Sequence, residues 1–287
     1  MNIRRAIVSC LLYAAGQLSM GLIHAQSSSL PAVTGPYDKG FSFPIAVKQL
    51  GEKDEVAAQI VRAYLRAVGV SAPSSFCAAG TITFGVSSTS DSSVSAHLAI
   101  GPAENQERLD ITTPKGGKSI RFHGAIAGIL QSDGMVTQFP AMSAAAGLFV
   151  TSNEILKATD DPNISLSDGG TVVVDGNTYH EITYGRPLPG FARPSKPTPT
   201  LATSLFFDPN THLLLKAADV VPLSGSSHVR RLRVISFGNY QATSAGMQPF
   251  SITETRDGQL VWQLSLTTVE NSCDQPSGYF ALTGGAR

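Results

Sequence analysis

From Ala79 onward apolar residues fall at every second position in one stretch after another, and this alternation limits what the chain can fold into. Ile82 and Phe84 alternate with Thr81 and Thr83, and Val94, Ala96, Leu98 and Ile100 with Ser93, Ser95 and His97. Leu109 and Ile111 oppose Arg108 and Asp110, while Ile120 and Phe122 oppose Arg121 and His123. A period of two with one wet and one dry side belongs to antiparallel strands. The pattern returns over 171–175, 178–184, 201–208, 211–217, 229–240, 247–256 and 259–270. Turn signals at Asp175-Gly176-Asn177, Asp208-Pro209-Asn210 and Asp257-Gly258 separate neighbouring runs. About ten strands follow, and they define one long antiparallel sheet.

Two helices accompany them. Glu52 to Val68 places Val56, Ile60, Tyr64 and Val68 four residues apart, with acids in its first turn and Gly69 as a stop. A second, Ala-rich stretch from Pro140 to Ala158 carries Met142, Phe149, Ile155 and Leu156, and Asp160-Asp161-Pro162 ends it. Roughly ten strands of ~20 Å present a sheet face on the order of 1,000 Å². Two helices of about 18 residues cover roughly half of that. Soluble proteins rarely leave so large an apolar face in water. The sheet must split into a sandwich, close into a filled barrel, or curl around the helices and leave room for an apolar ligand.

The bulk numbers narrow the function. The 287 residues are 42% hydrophobic but only 15% charged, and the net charge is zero, so nothing attracts a nucleic acid. Arg4 and Arg5, the apolar run Ala6–Ile23 and the site Ile23-His24-Ala25 read as an export signal, giving a periplasmic or secreted protein. Residues 1–25 are thus a signal peptide, 26–50 a Ser/Pro-rich flexible leader, and 51–287 one domain without internal repeats. Within it, 185–199 holds five prolines and no periodicity, a loop long enough to be functional. With Cys10 in the signal, Cys77 and Cys273 remain, and an oxidising compartment pairs them as a disulfide; two buried thiols are the alternative.

No catalytic pattern stands out. There is no HExxH, CxxC, phosphate loop or Gly-x-Ser-x-Gly elbow, so no metal, cofactor or catalytic residue is assigned. His97 and His123 lie on wet strand sides, and His180 shares a side with Ile182 and Tyr184. Arg231 and Arg233 project with Ile235 and Phe237, either as a solvated strand face or as a cationic rim for an anionic head group.

The order of elements resembles the periplasmic lipoprotein-sorting (LolA/LolB-like) superfamily. The residues that carry this are the helix end Val61-Arg62-Ala63-Tyr64-Leu65-Arg66-Ala67-Val68-Gly69 and the hairpin Phe206-Phe207-Asp208-Pro209-Asn210-Thr211. They continue with Ile235–Tyr240, then Gly246-Met247-Gln248-Pro249-Phe250, then a strand ending at Asn271. The resemblance implies a mainly β, α+β fold, in which a single curved antiparallel sheet forms a half-open barrel lidded by helices and binds acyl chains. A carrier of an apolar small molecule or acyl chain is the reading this favours. Ile82, Phe84, Phe139, Leu148, Phe149, Leu264 and Leu266 are its expected cavity walls, with Arg231 and Arg233 for a head group. The alternative partner is an envelope protein held by a regulatory or scaffold version of the same fold; a hydrolase is the least supported reading.

Overall fold

In the computed structural model the described residues are 51–85, 93–103, 105–188, 200–222, 230–271 and 273–282. The expected signal peptide and leader lie outside them, as do residues 189–199 of the Pro-rich loop.

The first helix, α1 (Glu55–Val68), begins three residues later than its periodicity suggests. Asp54 caps it, accepting from the Val56 and Ala57 N–H groups, and this leaves 52–54 extended. Those three residues instead bond to Leu166, from Asp54 N to Leu166 O at 2.8 Å and from Leu166 N to Glu52 O at 3.1 Å. Gly69 ends α1 at φ 75°, and its N–H and that of Val70 satisfy the last carbonyls. Ala57, Val61, Tyr64, Leu65 and Val68 form the buried stripe.

Among the described residues thirteen strands follow, more than expected. They are β1 (Phe76–Phe84), β2 (Val94–Ile100), β3 (Gln106–Thr113), β4 (Gly116–His123), β5 (Ile126–Gln131) and β6 (Val136–Gln138), then β7 (Ser165–Val174) and β8 (Asn177–Pro187). The set is completed by β9 (Thr200–Phe207), β10 (Leu214–Pro222), β11 (Arg230–Thr243), β12 (Gly246–Arg256) and β13 (Gln259–Asn271). All belong to one antiparallel sheet ordered β6-β5-β4-β3-β2-β1-β13-β12-β11-β10-β9-β8-β7. Every neighbour is sequential except β1 and β13, which join two meanders side by side. Between the two free edges, β6 and β7, the chain crosses through α2 (Ala141–Ala146) and α3 (Ser152–Asp160).

That crossing shows how the sheet is shaped. Helix α2 packs against β5 as well as β9 and β10. In a flat sheet β5 and β10 would stand about 38 Å apart at ~4.8 Å per strand. A six-residue helix is only ~9 Å long. The sheet therefore curls round α2 without closing, an open half-barrel. One core runs through it, with Leu109, Ile111 and Phe122 of one meander and Ile182, Leu205 and Ile252 of the other around Val61, Ala144 and Ile155 of the helices. Fit at the rim is close: a Cβ on Gly246, at the β11–β12 turn, would lie 2.1 Å from Val68 O at the end of α1.

Residues 273–282 cover the convex face of β1–β4. Phe280 packs on Cys77 and Ala99, Arg108 lies 4.2 Å from the Tyr279 ring centre, and Arg121 donates to Ala281 O at 2.5 Å. Cys77 and Cys273 form a disulfide at the root of this strap.

Candidate functional site

The stretch expected as one helix from Pro140 to Ala158 is two helices with a bend between them. Gly147 stops α2 at φ 67° and ψ −174°, an extended positive-φ backbone open essentially to glycine alone. Thr151 and Glu154 then start α3 with reciprocal bonds, Glu154 N to Thr151 Oγ1 at 3.3 Å and Thr151 N to Glu154 Oε2 at 2.8 Å. The bend 144–150 lies on the concave face, and buried ionisable side chains from three distant strands hold it.

From β11, Arg233 forks onto Asp219 of β10, with Nε–Oδ1 at 2.8 Å and Nη2–Oδ2 at 2.6 Å. Its remaining donors reach Gly147 O at 2.7 Å and Ala146 O at 3.1 Å. From β8, Arg186 pairs with Glu154 at 2.8 Å and donates to Ala145 O. From β3, Glu107 accepts the Leu148 N–H through Oε2. All four ion-paired residues and Glu107 are buried. Burial works against the charge on Arg233, but Asp219, with Glu254 and Glu107 behind it, more than offsets this and raises its pKa above the ordinary arginine value. Arg231, two residues away, is half-buried and paired with Asp257.

Beside the bend is an apolar pocket. Its wall includes Tyr64 of α1, Leu98 of β2, Phe149, Phe237 of β11, Ile252 of β12 and Leu266 of β13. Its internal volume is about 30 Å³, room for a single water. Burial drives the phenols of Tyr64 and Tyr240, on either side, well above the usual tyrosine range. The Tyr240 hydroxyl donates to Leu214 O at 2.6 Å.

Of the wall residues expected from sequence, Phe149 and Leu266 line this pocket. Ile82 and Leu264 face each other across β1 and β13 in the packed core. Leu148 is buried within the bend, and Phe139 stacks at 5.6 Å from Phe122. Phe84 lies near the other end of the half-barrel, 4.7 Å from Lys118 Nζ, whose pKa burial pushes down to about 8. Arg233 turns its guanidinium into the protein, where Asp219 and backbone carbonyls engage it, rather than toward a rim. His180, on the side of Ile182 as expected, sits 2.8 Å from Asp168.

Asn105, Glu107, Glu154, Arg186 and Asp219 were not among the expected site residues. A signal for three of them exists in the alternation. Glu107 continues the dry side of Leu109 and Ile111, Arg186 that of Ile182 and Tyr184, and Asp219 that of Ala217. An ionisable residue in step with apolar neighbours is a candidate for a buried, paired charge. Among the described residues no group of His, Cys, Asp and Glu could hold a metal ion, and no helix is long and apolar enough to cross a membrane.

No protein-family model matches the chain, and no curated protein does. Solved structures to which it is similar include a LolA superfamily protein from Nitrosomonas europaea, at 15% identity over 78% of this chain and 97% of that one, TM-score 0.49. A DUF1329 family protein from Desulfovibrio piger matches at 12% identity over 79% and 96%, TM-score 0.47. The lipoprotein LppX from Mycobacterium tuberculosis matches at 15% identity over 75% and 94%, TM-score 0.25. The fold is the half-open barrel expected from the sequence: one open antiparallel sheet with helices on its concave side.

Proposed function

We propose that this chain is an exported binding or carrier protein for a lipid or other apolar ligand, seated beside the bend 144–150 on the concave face, and that the structure is its closed form. The observation that carries the reading is the pocket, with apolar side chains of α1, β2, β11, β12 and β13 around Phe149. Its volume of about 30 Å³ means that an acyl chain enters only when the bend moves outward. The link 147–151 belongs to neither helix, so it can swing outward once the bonds that hold the bend are released. The Cys77–Cys273 disulfide supports an oxidising compartment. The reading involves no catalytic step.

The test is delipidated protein titrated with an environment-sensitive apolar dye, together with solvent extraction of freshly purified protein. Saturable dye binding is expected. Leu266→Trp, which fills the pocket, should weaken it about tenfold, the equivalent of ~1.4 kcal/mol, and overpacking should lower stability by about 1–3 kcal/mol. Repeated preparations with no amphiphile and no saturable dye binding would remove the reading. A single stoichiometric protein recovered by cross-linking instead would favour the scaffold alternative.

A further inference from the structure

The bend has one more fastening, and its chemistry is incomplete without a proton. Asn105 turns its amide nitrogen to Gly124 O at 2.8 Å and Ala144 O at 2.9 Å. These carbonyls fix the amide's orientation, because exchanging its nitrogen and oxygen would set oxygen against oxygen. Asn105 Oδ1 is buried and meets no donor. Glu107 spends Oε2 on the Leu148 N–H, and its Oε1 is buried and meets no donor either. Both orphan oxygens converge on one spot: a Cβ on Gly147 would lie 2.9 Å from Glu107 Oε1 and 3.0 Å from Asn105 Oδ1. Two buried acceptors beside the same glycine and without donors are costly, and a proton on one of them would supply the missing donor.

The surrounding charges agree. Glu107 faces Glu154 of α3, Arg186 of β8 and Arg233 of β11, and Arg233 is backed by Asp219 of β10. Arg186 has Glu154 at 2.8 Å and Arg233 has Asp219 at 2.6 Å, so each guanidinium has its own carboxylate. Glu107 is the third acid beside two bases. Burial, then the charge of Glu154, raise its pKa well above the carboxylate range, and the Leu148 N–H and both arginines only partly reverse this.

We propose that Glu107 is a neutral carboxylic acid at pH 7, that its proton on Oε1 is donated to Asn105 Oδ1, and that this bond latches the bend 144–150 onto the concave face. As a control on ligand uptake, the latch rests on the reading of the neighbouring pocket as a binding site. The sign follows from linkage. A carboxyl whose pKa is raised in the closed state stabilises that state fully at low pH and loses the contribution as pH rises through the raised value. The latch loosens toward alkaline pH. Between the open-state and closed-state pKa values, opening grows about tenfold per pH unit.

Native-state hydrogen exchange on the full chain tests this, following the amides of 144–150 against pH after correction for intrinsic rates. Protection should fall with rising pH in the native protein. It should stay level in Glu107→Gln, whose amide donates to Asn105 Oδ1 without titrating while its oxygen still accepts from Leu148. Infrared spectroscopy of the native protein, independent of any variant, should show a buried carboxylic-acid carbonyl band at pH 7. No such band, or the same pH dependence in Glu107→Gln, overturns the proposal. Dye uptake that tracks the exchange ties the latch to the pocket. A titrating latch with no dye uptake at any pH upholds the latch and sinks the ligand reading alone.

Discussion

Replacing Arg233 by alanine is expected to lower folding stability by about 3–5 kcal/mol, the range for a buried ion pair that loses one partner. The residue is 5% exposed, and Asp219, its counter-ion, is 3% exposed. Without the guanidinium, Asp219 keeps a buried charge with no cation of its own, and Gly147 O and Ala146 O lose their donors. Much of the expected loss is therefore the penalty on what remains. The double variant Arg233→Met/Asp219→Leu removes both charges and should recover a large part of the deficit, leaving mainly the two unpaired carbonyls. Arg233→Lys keeps the charge but cannot fork onto a carboxylate and reach two carbonyls together, so it should fall between. Urea unfolding of the four proteins measures this. A loss below about 1 kcal/mol for Arg233→Ala, a value typical of surface pairs, would contradict the burial described here.

The same pair shows where sequence reasoning ends. Alternation correctly put Arg233 on the side of Ile235 and Phe237, both buried in the core. It could not say that Asp219 stands directly opposite, because no turn signal like Asp175-Gly176-Asn177 marks the register of β10 against β11. The pairing of β1 with β13 left no local mark in the alternation, and only the expected Cys77–Cys273 disulfide, joining the first strand region to the last, pointed to it. β5 and β6 went unread because Ile126–Gln131 is short and broken by Gly128, and Val136–Gln138 is fully exposed. Thr151 and Glu154, in contrast, spell a capping box, and with Gly147 they could have divided the second helix in advance. The mismatch of areas was legible, but a flat sheet was the wrong picture of its outcome. Curling wraps both meanders around the same helices, so one core cluster takes in much of the apolar face. That is why Ile82 and Leu264 are core and only a small pocket remains beside Phe149 and Leu266.

Removing the disulfide, by Cys77→Ser with Cys273→Ala, is expected to cost about 5 kcal/mol on the chain-entropy account. The two cysteines are 196 residues apart, so the bond restrains almost the whole described chain when it unfolds. In the folded state β1 and β13 are already neighbours, with Cys77 opposite Glu270, and the bond adds little to the sheet itself. What it adds locally is the anchor of the strap 273–282, which otherwise depends on Phe280 against Ala99 and on Arg108 and Arg121 reaching Tyr279 O and Ala281 O. The two effects separate experimentally. Loss of the unfolded-state restraint lowers the urea midpoint of the whole protein, whereas release of the strap gives early proteolysis and fast amide exchange confined to 274–282. Cutting strap contacts with the disulfide intact, by Phe280→Ala, should give the second effect with a smaller loss of global stability. If the double variant and the oxidised protein unfold at the same urea concentration, the bond serves only to pin the strap, and the convex face of β1–β4 is what it protects.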